Sequence, residues 1–176
     1  MRIRPARAVR SMHATQPWSR YSISKPRKNY VKSMPHTSLL IFNMGKNKKG
    51  LDLVATLESE QDVQLRSNAL EAARQVSNKH LERELQDNYH MRVITFPHHV
   101  IREKKMATGA GADRISKGMT LAFGKASSVA ARVHKGQKVF EVKVVSAKRD
   151  VAMLALKRAA SKLSGTYKIR FSQSAS

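Results

Sequence analysis

From about residue 35 onward, short apolar stretches switch between a period of two and a period near 3.6. Strict alternation marks half-buried strands, and the longer period marks amphipathic helices. Leu39-Leu40-Ile41-Phe42 predicts a short strand, the segment Gly45 to Gly50 a basic turn, and Leu51 to Leu57 a second strand. Ser59 stands three residues before Asp62, a spacing like that of a helix-capping box. The Ala-, Leu-, Gln- and Glu-rich stretch after it predicts a long helix reaching about Leu85, with Val63, Leu70, Ala73 and Leu81 on one stripe.

Tyr89, Met91 and Val93 alternate with His90 and Arg92 in a strand that runs to Phe96 and stops at Pro97. A second alternation, Val129, Ala131 and Val133, leads through Gly136-Gln137 into a third, Phe140, Val142 and Val144, and the pair predicts a hairpin. Ala152, Leu156, Ala159, Ala160 and Leu163 share one face of a second helix, with Gly165 at the position just past its end. Tyr167, Ile169 and Phe171 alternate with Lys168 and Arg170 in a last strand. Strands and helices mix without regular βαβ order. The expected class is therefore α+β: an antiparallel sheet, or α/β sandwich, with two helices packed on one face. The other face would leave Arg92, Arg132, Lys143 and Arg170 available to a partner.

Charge identifies the class of that partner. The 176 residues hold 34 Lys and Arg against 12 Asp and Glu, a formal net charge of +22. Self-repulsion of this size opposes compactness, so a polyanion must offset it, and RNA does so with release of condensed counterions. The charge is also partitioned: residues 1–50 carry twelve basic and no acidic residues, 51–100 five and eight, and 101–176 seventeen and four. An arm over residues 1–34 and a body over 35–176 follow from this layout, with the acidic first helix turned away from the polyanion. An acid-free start rich in Arg and Ser also fits an organellar transit peptide, but Pro5 and Pro17 interrupt an amphipathic helix there. A basic arm that orders on RNA is the preferred reading.

Other classes are weaker. The longest run of large aliphatic and aromatic residues, Leu39 to Phe42, is far short of the roughly 20 residues of a membrane-spanning helix. With no cysteine there is neither a disulfide nor a thiolate metal site. Aromatic residues make up 6% of the chain, too few for a surface built mainly on base stacking.

The segment Glu103 to Gly118 joins two strand candidates, with small residues at its tip and Lys104, Lys105, Arg114 and Lys117 on both sides. Connections this long are functional more often than ordinary loops are. Gly109-Ala-Gly111-Ala lacks the third glycine of a dinucleotide fingerprint, because Arg114 stands there. His98 and His99 are adjacent, so on a strand they face opposite ways and do not jointly chelate a metal. Acid–base cleavage of RNA by either histidine with Lys104 is a minor alternative, and neither cofactor, metal nor catalytic residue is expected. Gly124-Lys125 and Arg132-Val-His134-Lys135-Gly136-Gln137 let backbone approach phosphates.

Several short motifs, in order along nearly the whole chain, resemble the universal large-subunit ribosomal protein family called L-sixteen in bacteria and L-ten-e in archaea and eukaryotes. They are Arg4-Pro-Ala-Arg7, Ser67-Asn-Ala-Leu-Glu-Ala-Ala-Arg74, His99-Val-Ile-Arg102, Gly111-Ala-Asp-Arg114, Gly118-Met119, Ala122-Phe-Gly-Lys125, and Ala131-Arg-Val-His134 with Gly136-Gln137. The arginine-rich start favours the archaeal and eukaryotic branch. The resemblance implies a cytoplasmic, ribosome-bound structural protein that sits on large-subunit rRNA near the aminoacyl-tRNA site, beside neighbouring ribosomal proteins. The expected rRNA contacts are Arg2, Arg4, Arg7, Arg10, Arg20, Lys25, Arg27 and Lys28 in the arm, and Arg92, Lys125, Arg132, His134 and Lys135 in the body. Arg102, Lys104, Lys105, Gly109, Gly111, Arg114 and Lys117 would carry the loop toward the peptidyl-transferase centre and the tRNA acceptor arm. A non-ribosomal nucleic-acid binder of the RNA-chaperone or chromatin type shares the charge and stands as the alternative.

Overall fold

A computed structural model of the chain describes residues 34–103, 107, 109–112 and 124–173. Among them the order is β1 (Asn43–Gly45), β2 (Leu53–Ser59), β3 (Val63–Arg66), α1 (Ser67–Leu85), β4 (His90–Val93), β5 (His99–Glu103), β6 (Lys125–Val133), β7 (Lys138–Val144), α2 (Arg149–Ala160) and β8 (Tyr167–Gln173). A short 3-10 turn, Ser146–Lys148, leads into α2. The class is α+β with antiparallel pairing, as expected, but the strands divide into two sheets. Five strands form one in the order β1-β4-β7-β2-β8, and three form the other in the order β3-β6-β5.

One apolar core joins the two sheets. The five-stranded sheet contributes Ala55, Leu57, Met91, Phe140, Val142 and Val144, and the small sheet Val63, Leu65, Ala131 and Val133. Helix α2 packs on β2, β7 and β8, α1 lies beside β3 and β6, and the two helices pack on each other. The buried positions of α1, Leu70, Ala73, Ser77, Leu81 and Leu85, recur every three or four residues, the spacing that keeps them on one face. Ala152, Ala155, Leu156 and Ala159 do the same on α2.

Several local expectations change, each for a physical reason. Ser59 and Asp62 do not start a helix. The Ser59 hydroxyl donates to the Gln61 carbonyl at 2.6 Å, and the Asp62 carboxylate accepts from the Lys135 backbone N–H at 2.8 Å. Residues Val63 to Arg66 then pair with Val133 to Ala130, so long-range strand pairing overrides the local cap, and α1 begins four residues later. The expected hairpin of β6 and β7 does not form, because each strand belongs to a different sheet. Their connecting turn is held by β2 instead: the Gly136 N–H donates to the Ser59 carbonyl at 2.7 Å, and the Ser59 N–H to the Gln137 carbonyl at 3.0 Å.

Two boundaries also move. The first strand lies at Asn43–Gly45, while Phe42 still accepts a hydrogen bond from the Val93 N–H at 2.8 Å. Helix α2 ends at Ala160 and continues as hydrogen-bonded turns to Leu163, so Gly165 sits in the approach to β8 and not directly behind the helix.

The shared core predicts a contrast within α2. Leu156 is fully buried and Leu154 is exposed one turn face away. Leu156→Ala should lower unfolding free energy by about 2–5 kcal/mol, and Leu154→Ala should stay within roughly 0.5 kcal/mol of the parent, read from denaturant midpoints.

Candidate nucleic-acid interface

Strand β5 runs out at Glu103, and β6 begins at Lys125 directly across from it. The connection between them therefore spans residues 104–124, longer than the expected stretch ending at Gly118. Its foot is tightly built. A Cβ on Gly124 would lie 2.7 Å from the Glu103 carbonyl carbon and 2.9 Å from the Glu103 nitrogen, so only glycine lets the two backbones touch there. A register shift between Ile101 and Arg102, characteristic of a bulge, re-aims the strand just before it leaves the sheet. Ile101 is buried, while Arg102 is exposed.

Part of the tip is also described. The Ala112 N–H donates to the Gly109 carbonyl at 3.2 Å, closing a turn in which Gly109 and Gly111 have φ of +128° and +75°. These are backbone conformations in which a side chain is strained. Lys104, Lys105, Arg114 and Lys117 lie outside the described residues, as do Arg2, Arg4, Arg7, Arg10, Arg20, Lys25, Arg27 and Lys28.

The face of the small sheet turned away from the core is polar. Gln64 pairs across from Arg132, and Ala130 stands across from both Arg66 and His99, so these side chains point the same way. Arg132 and His99 are each only 8% exposed. Arg132 thus departs from the expectation that it would share an open sheet face with Arg92, Lys143 and Arg170, because it belongs to the other sheet. Burial, followed by the Arg132 and Arg102 charges, pushes the His99 pKa down to about 4. His99 is consequently neutral at physiological pH, and the positive charge of this face comes from guanidinium groups. Gln64 and Arg66 were not anticipated. Their signal, the alternation Val63-Gln-Leu-Arg66, was present but was absorbed into the expected helix.

Arg92, Lys143 and Arg170 do lie on the outer face of the five-stranded sheet. Across-strand pairing sets Arg92 opposite Glu141, Glu141 opposite Thr56, and Thr56 opposite Arg170. That face is mixed in charge, since the Arg170 Nε also meets Glu58 Oε2 at 2.7 Å. A partly exposed pair of this kind contributes little to stability, but it lowers the net positive potential. Lys125 is exposed at the foot of the long connection, and His134 and Lys135 are exposed in the β6–β7 turn. The His134 N–H donates to the Gln137 side-chain oxygen at 3.0 Å, and the imidazole lies 3.7 Å from Asp62.

His98 and His99 separate as adjacent strand residues must, His98 exposed and His99 buried. They cannot share one substrate atom from that arrangement. Among the described residues no group of three or more His, Asp or Glu is placed to hold a metal ion, and no helix is long and apolar enough to cross a membrane.

The sequence model of the family described as ribosomal protein L16p/L10e matches residues 18–170. The large ribosomal subunit protein uL16 of Archaeoglobus fulgidus is 44% identical over 153 residues, covering 86% of this chain and 88% of that protein. Proteins with the same name in Methanoculleus marisnigri and Thermofilum pendens are 46% identical over 138 residues, with 78% and 81% covered, and 43% identical over 164 residues, with 93% of each covered.

The neutral state of His99 has a measurable consequence. Its folded pKa lies below the unfolded value of 6.5, so the folded chain binds fewer protons between them. The stability tied to this residue should be fully present above pH about 6.5 and lost as the pH falls toward about 4. Unfolding midpoints across that interval should drop less steeply in His99→Leu than in the parent.

Proposed function

Because the chain belongs to the ribosomal protein L16p/L10e family, we propose that it is a structural constituent of the large ribosomal subunit, of the archaeal type, acting on the ribosome in the cytoplasm. The match along residues 18–170, at 39–47% identity to archaeal relatives, carries this reading. Its partners are large-subunit rRNA and neighbouring ribosomal proteins, and it performs no catalysis. Residues 1–34 form an arm that threads into rRNA through Arg2, Arg4, Arg7 and Arg10, and residues 35–176 form the rRNA-bound body. Exposed Lys125, His134, Lys135 and Arg92 contact rRNA from the body, while Arg132, only 8% exposed, adds its charge from beneath that surface.

The long connection reaches toward the peptidyl-transferase centre and supports placement of the tRNA acceptor arm, using Arg102, Lys104, Lys105, Arg114 and Lys117. Its built foot supports this role. The Gly124–Glu103 approach holds the two ends of the connection side by side, and the Gly109–Ala112 turn offers backbone without side-chain bulk. A general nucleic-acid chaperone shares the charge but has no use for a long connection whose two ends are held so closely.

Two measurements test the reading. The chain should co-sediment with large subunits through a high-salt sucrose gradient, where a loosely held chaperone would be stripped. Deletion of Gly109–Ala112, or Arg114→Ala, should leave unfolding free energy within about 0.5 kcal/mol of the parent while slowing tRNA accommodation severalfold. Normal accommodation on subunits carrying either variant contradicts the role given to the loop.

A further inference from the structure

Beyond β4 the backbone keeps alternating after its strand pairing ends. Thr95 and Pro97 are buried, while Ile94, Phe96 and His98 face outward. Hydrogen bonds from the Val93 N–H to the Phe42 carbonyl at 2.8 Å and from the Ile94 N–H to the Val139 carbonyl at 2.9 Å fix this segment beside residue 42. Three rings meet there. Phe42 and Phe96 stack with centroids 5.5 Å apart and planes 20° apart, and Phe96 meets His98 at 4.6 Å with a 46° tilt.

Exposure rises along this ladder. Phe42 is partly buried against the main core, Phe96 is 41% exposed, and His98 is exposed. Pro97 between the last two rings has a fixed φ, so their placement loses little entropy when a further ring is added. Exposed Leu40 and Ile41 precede Phe42 in the chain. Cationic Arg92 lies two residues before Ile94 and Lys138 just before Val139, with Glu141 across from Arg92 as the acidic neighbour. An apolar protein partner would be matched by aliphatic residues alone. Rings that end on an exposed imidazole, in a chain of net charge +22, match a planar base carrying a phosphate.

We propose that Phe42, Phe96 and His98 form a stacking site for one unpaired RNA base, which continues the ladder beyond His98. The site rests on the reading that the chain binds large-subunit rRNA, and it adds a salt-independent contact to an otherwise electrostatic surface. Phosphate contacts set the slope of log affinity against log salt, whereas base stacking shifts affinity equally at every salt concentration.

The test titrates binding of the full chain to large-subunit rRNA across a potassium chloride series. His98→Ala and Phe96→Leu should each weaken binding roughly 5- to 150-fold at every salt with the slope unchanged. His98→Tyr, which keeps a ring, should bind at least as tightly as the parent. Lys138→Ala should instead reduce the slope by about one. Thermal melts matching the parent show that His98→Ala, an exposed substitution, leaves the fold intact. Unchanged affinity for both His98→Ala and Phe96→Leu, beside steeply salt-dependent parental binding, overturns the stacking site and assigns the ladder to a protein neighbour. A lowered slope in these two variants overturns it equally. A parent chain with no salt-dependent binding removes the rRNA reading itself.

Discussion

The shared apolar core constrains everything else in this chain. Eight strands in one sheet could leave an open, uniformly basic face. Dividing them between sheets of five and three, with β6 passing into β7 through the turn at His134–Gln137, turns the inner alternation of both sheets into one core, with α2 on the large sheet and α1 beside the small one. Once Val133 and Phe140 face that core, Arg132 and Glu141 must face outward from different sheets. The placement of the charged residues is therefore a consequence of packing as much as of charge.

This division separates the basic surface into parts with different chemistry. The outer face of the five-stranded sheet interleaves Arg92, Lys143 and Arg170 with Glu58 and Glu141, which suits adjustable contact with solvent and phosphate. The small sheet buries Arg132 beside neutral His99, a costly arrangement for a guanidinium, as the depressed pKa of Arg132 by burial reflects. At its end the Gly124 and Glu103 backbones, which flank the connection 104–124, approach too closely for a side chain between them.

Legibility in the sequence followed the range of the interactions involved. Phe140–Val144 and Tyr167–Phe171 show their alternation locally and lie in β7 and β8, whereas of Tyr89–Phe96 only His90–Val93 is paired as a strand. The periodic part of α1 and its end at Leu85 were equally plain. Pairing between distant residues was not. Val63 to Arg66 is four residues long and abuts a strong helix, so only its pairing with β6 identifies it as a strand. Ser59 and Asp62 carry correct turn chemistry for a cap, yet their partners are seventy or more residues away in one case, Lys135, and a neighbour, Gln61, in the other. Exposed Lys125, His134 and Lys135 could be anticipated from composition, whereas the burial of His99 and Arg132 depends on which sheet holds them.

The central claim is that the helices α1 and α2 cover the side of the body away from RNA, with the small sheet and its long connection directed into the ribosome. A reconstruction of the large subunit containing this chain tests that orientation directly. This reading predicts rRNA against exposed Arg92, Lys125, His134 and Lys135 and the Gly109–Ala112 turn nearest the tRNA acceptor end. Density showing α1 and α2 buried against rRNA, with residues 109–112 pointing to bulk solvent, would contradict it.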